Sequence, residues 1–263
     1  MDNFTDERDL ELLMRDKYTF FVMRRVLDQE SNILFSDHEK IILCYTGVPY
    51  PVWIWTDDSA DKEDMDRAYQ LAGDNGFLDG NHRFNIKYEL ADHFIRRAEA
   101  DGLRLAVKTN MFAYDCPDPV APSSPAPGQI CKAGPDDIEE LVEIMDRFTK
   151  EAGLEPRDRE AYFSDAKVFI GSGNTYFWKD SEGNNVACCK YTPNGDISSI
   201  NLVYTRPEHR RMHYAQNLVY QVTMKVKQEG YIPMLYTDAD YAASNACYEK
   251  IGYVLRGKLC TIG

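Results

Sequence analysis

A chain of 263 residues with 44% hydrophobic and 12% aromatic residues can form well-packed cores, and its length suits two compact domains better than one. Its 43 acidic side chains outnumber the 30 basic ones, for a formal net charge of -13. This balance argues against a general nucleic-acid binder and favours the approach of a cationic substrate such as an amine, although solubility alone would also explain it.

The composition also bears on location and on metal binding. No apolar run approaches the roughly 20 residues that span a bilayer, and the N-terminus lacks the basic start and apolar core of a signal peptide. The seven cysteines are scattered and form no CxxC pair. We therefore expect a cytoplasmic protein with reduced thiols, no membrane contact and no metal site. His38, His82 and His93 are too widely spaced to suggest a metal site, and we expect surface or capping roles for them.

The first 114 residues predict a small α/β domain. One helix is expected over residues 6–29, although its apolar residues line up only roughly. Further helices are predicted over 62–72 and 89–100, and strands over 32–35, 40–45, 51–55 and 103–114, with an extended segment at 82–88. Trp53 and Trp55 alternate with apolar neighbours and therefore share one face of a strand, where core or interface packing is a simpler interpretation than a ligand wall.

A proline-rich segment follows this domain. It reads DCPDPVAPSSPAPG and cannot form a helix or an inner strand. We interpret residues 115–129 as a semi-rigid linker, with a docking peptide for an SH3-like partner as the less favoured alternative. The predicted domains are therefore 1–114 and 130–263.

Strands and helices alternate again in the second half. A strand at 130–132 precedes a helix that opens at Pro135 and runs to residue 148. Strands are predicted over 167–172, 174–179, 186–191 and 197–205, with turns at 181–185 and 192–196. Apolar residues at helical spacing then predict a helix that ends at Gly230, before a strand at 232–237. The order strand, helix, strand predicts a parallel βαβ unit.

A basic turn lies immediately before that helix. It contains Arg206, His209, Arg210, Arg211 and His213. Free backbone N–H groups and the positive end of a helix dipole favour an anion at such a position, most simply a phosphate. A solvated basic turn is the alternative.

Four pieces of sequence in this half, taken together, resemble the GNAT family of N-acetyltransferases. The family's pyrophosphate loop, Gln/Arg-x-x-Gly-x-Gly/Ala, matches residues 210–215 (RRMHYA). Residues 203–209 (VYTRPEH) look like its lead-in, 235–238 (LYTD) like its next strand, and 244–253 (SNACYEKIGY) like its second CoA-contacting helix. The resemblance covers the chain from about residue 130.

The resemblance implies a mixed α/β sheet with the GNAT acyl-CoA N-acyltransferase fold, preceded by a smaller α/β domain that could be a degenerate copy of it. It implies that two central strands, 198–205 and 232–237, diverge and that the backbone of Val203, Tyr204 and Thr205 binds the pantetheine arm. The implied pyrophosphate loop consists of Arg210, Arg211, Met212, His213, Tyr214 and Ala215. Asn245 looks like the family's polar contact to CoA, and Tyr248 like its general acid.

The implied function is acetyl transfer from acetyl-CoA, as co-substrate, to the amine of a small molecule or peptide by direct attack in a ternary complex. A monomer or homodimer is expected. A catalytically weak acyl-CoA sensor is one alternative, and an N-terminal interaction module is another. His213 departs from the family, which has a glycine there, and Tyr241-Ala242 replaces its frequent Asn-Pro. No general base is assigned: Asp238, Asp240 and a water relay all stay open.

Overall fold

The computed structural model describes residues 1–28 and 31–263, which form eight α-helices and eleven strands. The strands are β1 Ile33–Ser36, β2 Ile41–Tyr45, β3 Val52–Thr56, β4 Phe84–Ile86, β5 Val107–Asp115, β6 Gln129–Lys132, β7 Thr175–Lys179, β8 Asn185–Asn194, β9 Ile197–Thr205, β10 Ile232–Asp238 and β11 Val254–Ile262. The helices are α1 Glu7–Arg15, α2 Phe21–Asp28, α3 Lys62–Asp74, α4 Tyr88–Ala100, α5 Ile138–Glu151, α6 Arg159–Gly171, α7 Tyr214–Gln228 and α8 Ala242–Ile251.

The chain folds into two compact units. The first unit contains Met1–Tyr114, Tyr236–Ala242 and Leu255–Gly263, and the second contains Asp115–Leu235 and Ala243–Val254. The chain therefore returns to the first unit twice after leaving it. The prediction that 115–129 is a linker between two sequential domains stays a prediction.

In the first unit the strand order is β1-β2-β3-β4-β11-β5. The β3–β4 pair is parallel, whereas β1–β2, β2–β3 and β4–β11 are antiparallel. Successive residues of β2 point to opposite faces of this sheet. Ile41 and Leu43 join a core with α3 and α4, while Ile42 and Cys44 join a second core with α1 and α2. Both faces of the sheet are therefore covered.

Trp53 and Trp55 lie in the second of these cores. They pack there with Phe20 and Met23, and the indole Nε1 of Trp55 donates to Asp16 at 2.8 Å. The predicted core role of the two tryptophans is confirmed.

The single helix predicted over residues 6–29 is wrong, because the structure has two helices, α1 and α2. The chain turns after Arg15, where the amides of Thr19 and Phe20 both donate to the carbonyl of Asp16. The break has a physical reason, because the apolar residues of this segment do not form one continuous stripe. The turn allows each helix to bury its own apolar side chains. The predicted end at Gln29 lies outside the described residues.

The second unit has the strand order β10-β9-β8-β7-β6, in which β10–β9 is parallel and the others are antiparallel. On one face α5 and α6 pack on Phe177, Cys188 and Leu202. Helix α7 packs against β7, β8 and β9. Cys188 and Cys189 are both buried, but only Cys188 joins the core beneath α5 and α6, as expected for neighbours on opposite faces.

The strand predicted over 167–172 is wrong: these residues form the last turns of α6 and its end. The Val-Phe-Ile run resembles a buried strand, and a short apolar run cannot be assigned from periodicity alone. Asp158 caps the helix through Ala161 N at 2.7 Å, and the half-buried Phe169 and Ile170 pack on the same core as α5. Val168 faces solvent.

The proline-rich segment packs against the second unit along most of its length. Near its start, the amide of Val120 donates to Ile251 O at 2.7 Å. Near its end, Trp178 Nε1 donates to Pro127 O at 2.8 Å. Gly252 has a φ of +99°, and a Cβ placed on it would lie 2.4 Å from Asp118 O. Only a glycine accommodates this close approach of the two backbones.

Candidate functional site

Strand β9 carries a bulge in its second half. Lys190 pairs with Asn201 and Cys188 with Tyr204, so one residue on β8 lies between these pairs and two residues lie between them on β9. One of these two, Leu202, has a φ of +51°, and its side chain is buried in the core beneath α5. A bulge of this kind redirects the backbone of the residues that follow it. Val203 is the second residue of the bulge, and Tyr204 and Thr205 follow it.

The pairing between β9 and β10 is short. Only Ile197, Ser198 and Ser199 have partners on β10, namely Ile232, Pro233 and Met234. Beyond Ser199, β9 continues to Thr205 without a partner on β10 among the described residues. The ladder therefore ends at Ser199, and the divergence of the two strands beyond it stays a prediction.

The hydroxyl of Thr205 lies at the end of the bulged stretch. Its Oγ1 is enclosed and meets no hydrogen-bond partner in the part of the chain that the structure describes. The side chain of Tyr204 points instead into the core beneath α5, where its hydroxyl donates to Glu151 Oε1 at 3.1 Å. Burial and then the Glu151 carboxylate raise the pKa of Tyr204.

Two arginines of the basic turn are bound to acids on α5. Arg206 donates through Nη2 to Glu140 at 2.6 Å and through Nε to the carbonyl of Asn185 at 2.8 Å. Arg210 pairs with Glu151, and its guanidinium lies 5.7 Å from the centre of the Tyr204 ring. These side chains hold the turn against α5. The sequence did not indicate these acids, which lie more than fifty residues away from the arginines they bind.

The chain then reverses through two left-handed residues. Arg211 has a φ of +62° and His213 a φ of +63°. His213, which stands at the glycine position of the resembled motif, thus has the backbone conformation that glycine adopts without strain. Arg211, Met212 and His213 are exposed, whereas Tyr214 is buried and Ala215 half-buried.

Helix α7 follows, and its start presents free donors. His213 is the N-cap residue, and its side chain makes no capping hydrogen bond. Among the described residues, no acceptor meets the backbone N–H groups of residues 211–216. The first intrahelical bond of this region runs from Asn217 N to His213 O. Unmet donors at the positive end of a 15-residue helix dipole form a site for an anion.

Asn217 fixes this helix start. Its Nδ2 donates to His213 O at 3.0 Å and to Ser124 O at 3.1 Å. The amide thus ties the N-cap residue to the proline-rich segment.

Helix α8 holds the two remaining predicted site residues on one face. Asn245 and Tyr248 are 8% and 7% exposed, and they lie one turn apart. The Tyr248 ring contacts the ring of Tyr253 edge to face, with centroids 5.9 Å apart. The Tyr253 hydroxyl bonds to Thr223 of α7 at 2.7 Å, and burial raises its pKa. Strand β9, α7 and all of α8 except Ala242 belong to the second unit.

Asp238 and Asp240, the candidate bases, lie in the first unit and have partners there. Asp240 Oδ2 accepts from Asn110 Nδ2 at 3.1 Å, and Asn110 Oδ1 accepts from the Tyr88 hydroxyl at 2.7 Å. Asp238 Oδ1 accepts from the amide of Asp240 at 2.9 Å. Both carboxylates thus accept hydrogen bonds within the first unit, and a role as general base stays an open expectation for each.

Asp6, Asp9 and His38 have ligand atoms within 4.8 Å of one another. Each is already engaged: His38 Nδ1 lies 2.8 Å from Asp9 Oδ2, Ser36 donates to Asp9, and Arg8 binds Asp6. We interpret the cluster as a set of hydrogen bonds that holds the N-terminal segment in place.

His38 and His93 are buried beside carboxylates, so the expected surface roles for these two residues are wrong.

A polar cavity of about 400 Å³ lies between α5 and α6. Three arginines line it, together with acidic residues and the buried Val142 and Tyr162. Arg157 is paired with Asp165 at 2.6 Å, and Arg159 is paired with Glu139. In the described residues, no helix is long and apolar enough to cross a membrane.

Comparisons with known proteins concern the fold of the chain. Residues 181–262 match the family model described as FR47-like protein. A comparison with curated protein sequences finds no significant match. Solved structures similar along 99% of this chain include a Drosophila protein (11% identity, 97% of that chain, TM-score 0.71) and a GCN5-related N-acetyltransferase from Sphaerobacter thermophilus (12%, 94%, 0.68). An acetyltransferase of the GNAT family from Colwellia psychrerythraea is similar over 99% of this chain and 98% of its own, at 9% identity and a TM-score of 0.61.

These likenesses confirm the predicted resemblance and the mixed α/β fold of GNAT acetyltransferases. The match to the family model lies within the predicted C-terminal domain. The structural likeness extends along nearly the whole chain, the N-terminal half included. The idea that the first 114 residues are a degenerate copy of the fold stays a prediction.

Proposed function

We propose that this protein transfers an acetyl group from acetyl-CoA to the amine of a small molecule or peptide. The observation that carries the proposal is the run of unmet N–H donors at residues 211–216, at the positive end of α7. A pyrophosphate supplies the anionic oxygens that such donors bind. The fold, common to solved acetyltransferases, supports the same choice.

The pantetheine arm would lie along the bulged end of β9. There the ladder with β10 has ended, and the backbone groups of Val203, Tyr204 and Thr205 can pair with an extended ligand as an added strand would. The enclosed hydroxyl of Thr205 offers one further hydrogen bond. Asn245 would supply a polar contact from α8.

In the proposed reaction a neutral amine attacks the thioester carbon, so that a C–N bond forms and the C–S bond breaks. A lysine-type amine has a pKa of about 10.4, so its proton must first pass to a base or a water chain. The N–H of Val203 would stabilise the negative charge that develops on the carbonyl oxygen. Tyr248 would donate its hydroxyl proton to the leaving thiolate.

Calorimetry with CoA and with pantetheine, which lacks the pyrophosphate, tests the binding step. The proposal expects CoA to bind at least about tenfold more tightly, a difference of about 1.4 kcal/mol. Equal affinities, or no CoA binding at high micromolar concentration, would remove the anion site at α7 from the proposal.

Thiol release from acetyl-CoA in a screen of amines tests catalysis. Tyr248→Phe should lower kcat by about 10²–10⁴-fold, the typical contribution of general acid catalysis, and change the CoA Kd less than about twofold. Tyr253→Phe, which alters the buried neighbour that bonds to Thr223, is the matched control for packing. Equal rates for Tyr248→Phe and the unmodified protein would exclude Tyr248 as the acid.

A catalytically weak acyl-CoA sensor is the second candidate. The left-handed His213 favours it, because a side chain at this position can crowd the phosphate. Tight CoA binding without thiol release in the amine screen would select the sensor.

A further inference from the structure

The proline-rich segment runs along α7 in the direction opposite to the helix. The carbonyl of Pro117 accepts from Lys227 Nζ in the last turn of α7, and the carbonyl of Ser124 accepts from Asn217 Nδ2 in the first turn at 3.1 Å. A proline-rich extended chain has no internal hydrogen bonds, so its carbonyls stay available to side-chain donors of this kind. The segment therefore reaches the end of α7 that carries the unmet N–H donors.

The segment is fixed on both sides of Ser124 by other elements of the second unit. On the side of its start, the carbonyl of Ile251, the last residue of α8, accepts from Val120 N at 2.7 Å and from Cys116 Sγ at 3.6 Å. On the side of its end, Trp178 Nε1 donates to Pro127 O at 2.8 Å. Because proline also restricts the chain between these points, the carbonyl of Ser124 is held in a defined position.

Asn217 is the side chain that connects this segment to the anion site. It is 8% exposed, and its amide group uses both of its N–H donors, one on Ser124 O and the other on His213 O at 3.0 Å. The loop that it holds contains two strained left-handed residues, Arg211 and His213. A strained backbone keeps its conformation only where the surrounding structure holds it. The bonds of Asn217 supply that restraint at the start of α7.

We propose that Asn217 is a positioning residue for CoA, and that through it the proline-rich segment sets the affinity of residues 211–216 for the pyrophosphate. Without the bond to Ser124 O, the left-handed turn relaxes towards conformations in which its N–H groups no longer converge on one anion. CoA then binds only the fraction of molecules with the correct loop, and its apparent Kd rises as that fraction falls. This role rests on the proposed binding of CoA at α7.

Three substitutions separate the two bonds of Asn217 from a general loss of packing. Asn217→Ala removes both bonds. Asn217→Ser retains one donor, which bonds back to His213 O as serine does within helices, and loses the bond to Ser124 O. Thr223→Val lies on the same helix and removes the buried hydrogen bond to the Tyr253 hydroxyl at 2.7 Å. It is the matched control for loss of one buried hydrogen bond.

Calorimetry with CoA and with pantetheine measures the effect on all three variants and the unmodified protein. Both Asn217 variants should weaken CoA binding about three- to tenfold, the size expected for one hydrogen bond, and change pantetheine binding less than about twofold. Thr223→Val should leave the ratio of the two dissociation constants unchanged. Without any ligand, ¹⁵N relaxation should give lower order parameters for the amides of residues 213–216 in both Asn217 variants.

Failure of this role is distinguishable from failure of the proposed function. If the unmodified protein binds CoA and pantetheine equally, both are overturned. If the unmodified protein prefers CoA and Asn217→Ser keeps the same preference, only the role of the proline-rich segment is overturned, because the bond to His213 O is then sufficient. An equal weakening of CoA and pantetheine, or a loss of the preference in Thr223→Val, would show a general effect of packing and would also overturn the role.

Discussion

His213 combines a left-handed backbone with a side chain, and the two contributions can be separated by mutation. His213→Ala removes the imidazole and keeps the strain at a φ of +63°, whereas His213→Gly removes both. A left-handed conformation costs a non-glycine residue about 1–2 kcal/mol. Glycine loses about 0.5–1 kcal/mol through its greater freedom when unfolded. His213→Gly should therefore be more stable than His213→Ala by about 0.5–1 kcal/mol.

Differential scanning fluorimetry can resolve this difference, since about 1 kcal/mol corresponds to about 2–4 °C in Tm for a chain of this size class. We expect His213→Gly to melt about 1–3 °C above His213→Ala. Identical melting temperatures would contradict the left-handed assignment. If the side chain crowds a bound pyrophosphate, the CoA affinity of His213→Gly should rise about three- to tenfold over that of the unmodified protein. A loss of affinity in both variants would instead identify the imidazole as a phosphate donor and refute the crowding argument.

Two further predictions concern packing and pH. Gly252→Ala should destabilise the protein by at least about 2 kcal/mol more than Gly230→Ala in urea unfolding. Both glycines have a positive φ, but only at Gly252 would the new Cβ meet a backbone oxygen, that of Asp118, and equal losses would contradict the docked position of the proline-rich segment. Hydrogen bonds from Ser59 and then from Arg15 lower the pKa of Asp57 to about 2. Because the folded state holds this carboxylate ionised more strongly than the unfolded state does, its contribution is present above about pH 4 and is lost towards pH 2. Asp57→Asn should remove on the order of 1–2 kcal/mol of that acid dependence and Ser59→Ala part of it, and an unchanged slope in both would exclude Asp57 as its source.

Local chemistry made several elements predictable from the sequence. The predicted tight turn between β8 and β9 is present, with Gly195 and Asp196 at its centre instead of the Asn-Gly pair, and Gly195 has a φ of +58°. Helix α7 forms where apolar residues recur at helical spacing, as predicted, and Gly230, at a φ of +89°, lies just beyond the end of the helix. These features depend on residues close in sequence, which a single sequence displays.

The failures involve interactions that are distant in sequence. The turn between α1 and α2 contains Asp16, whose carboxylate binds Trp55 from β3, and nothing near residue 16 indicates that partner. The pairing of Arg210 with Glu151 likewise joins residues 59 positions apart. The basic turn is recognisable from the sequence. The sequence does not show which side chains of the turn form ion pairs within the protein, because the acids that bind them come from α5.

The division of the chain into units has a practical consequence for dissecting it. The first unit includes β11 from Leu255 onward, as well as Tyr236–Ala242. Cys260 and Ile262 of β11 are fully buried in the core that contains residues of α3 and α4. A fragment that stops anywhere in the proline-rich segment would lack both pieces, and its β4 would lose the antiparallel partner that β11 provides. A truncation in residues 115–128 would remove Tyr236–Ala242 and Leu255–Gly263 from the first unit together with the second unit, so functions are better assigned by point substitution in the intact chain.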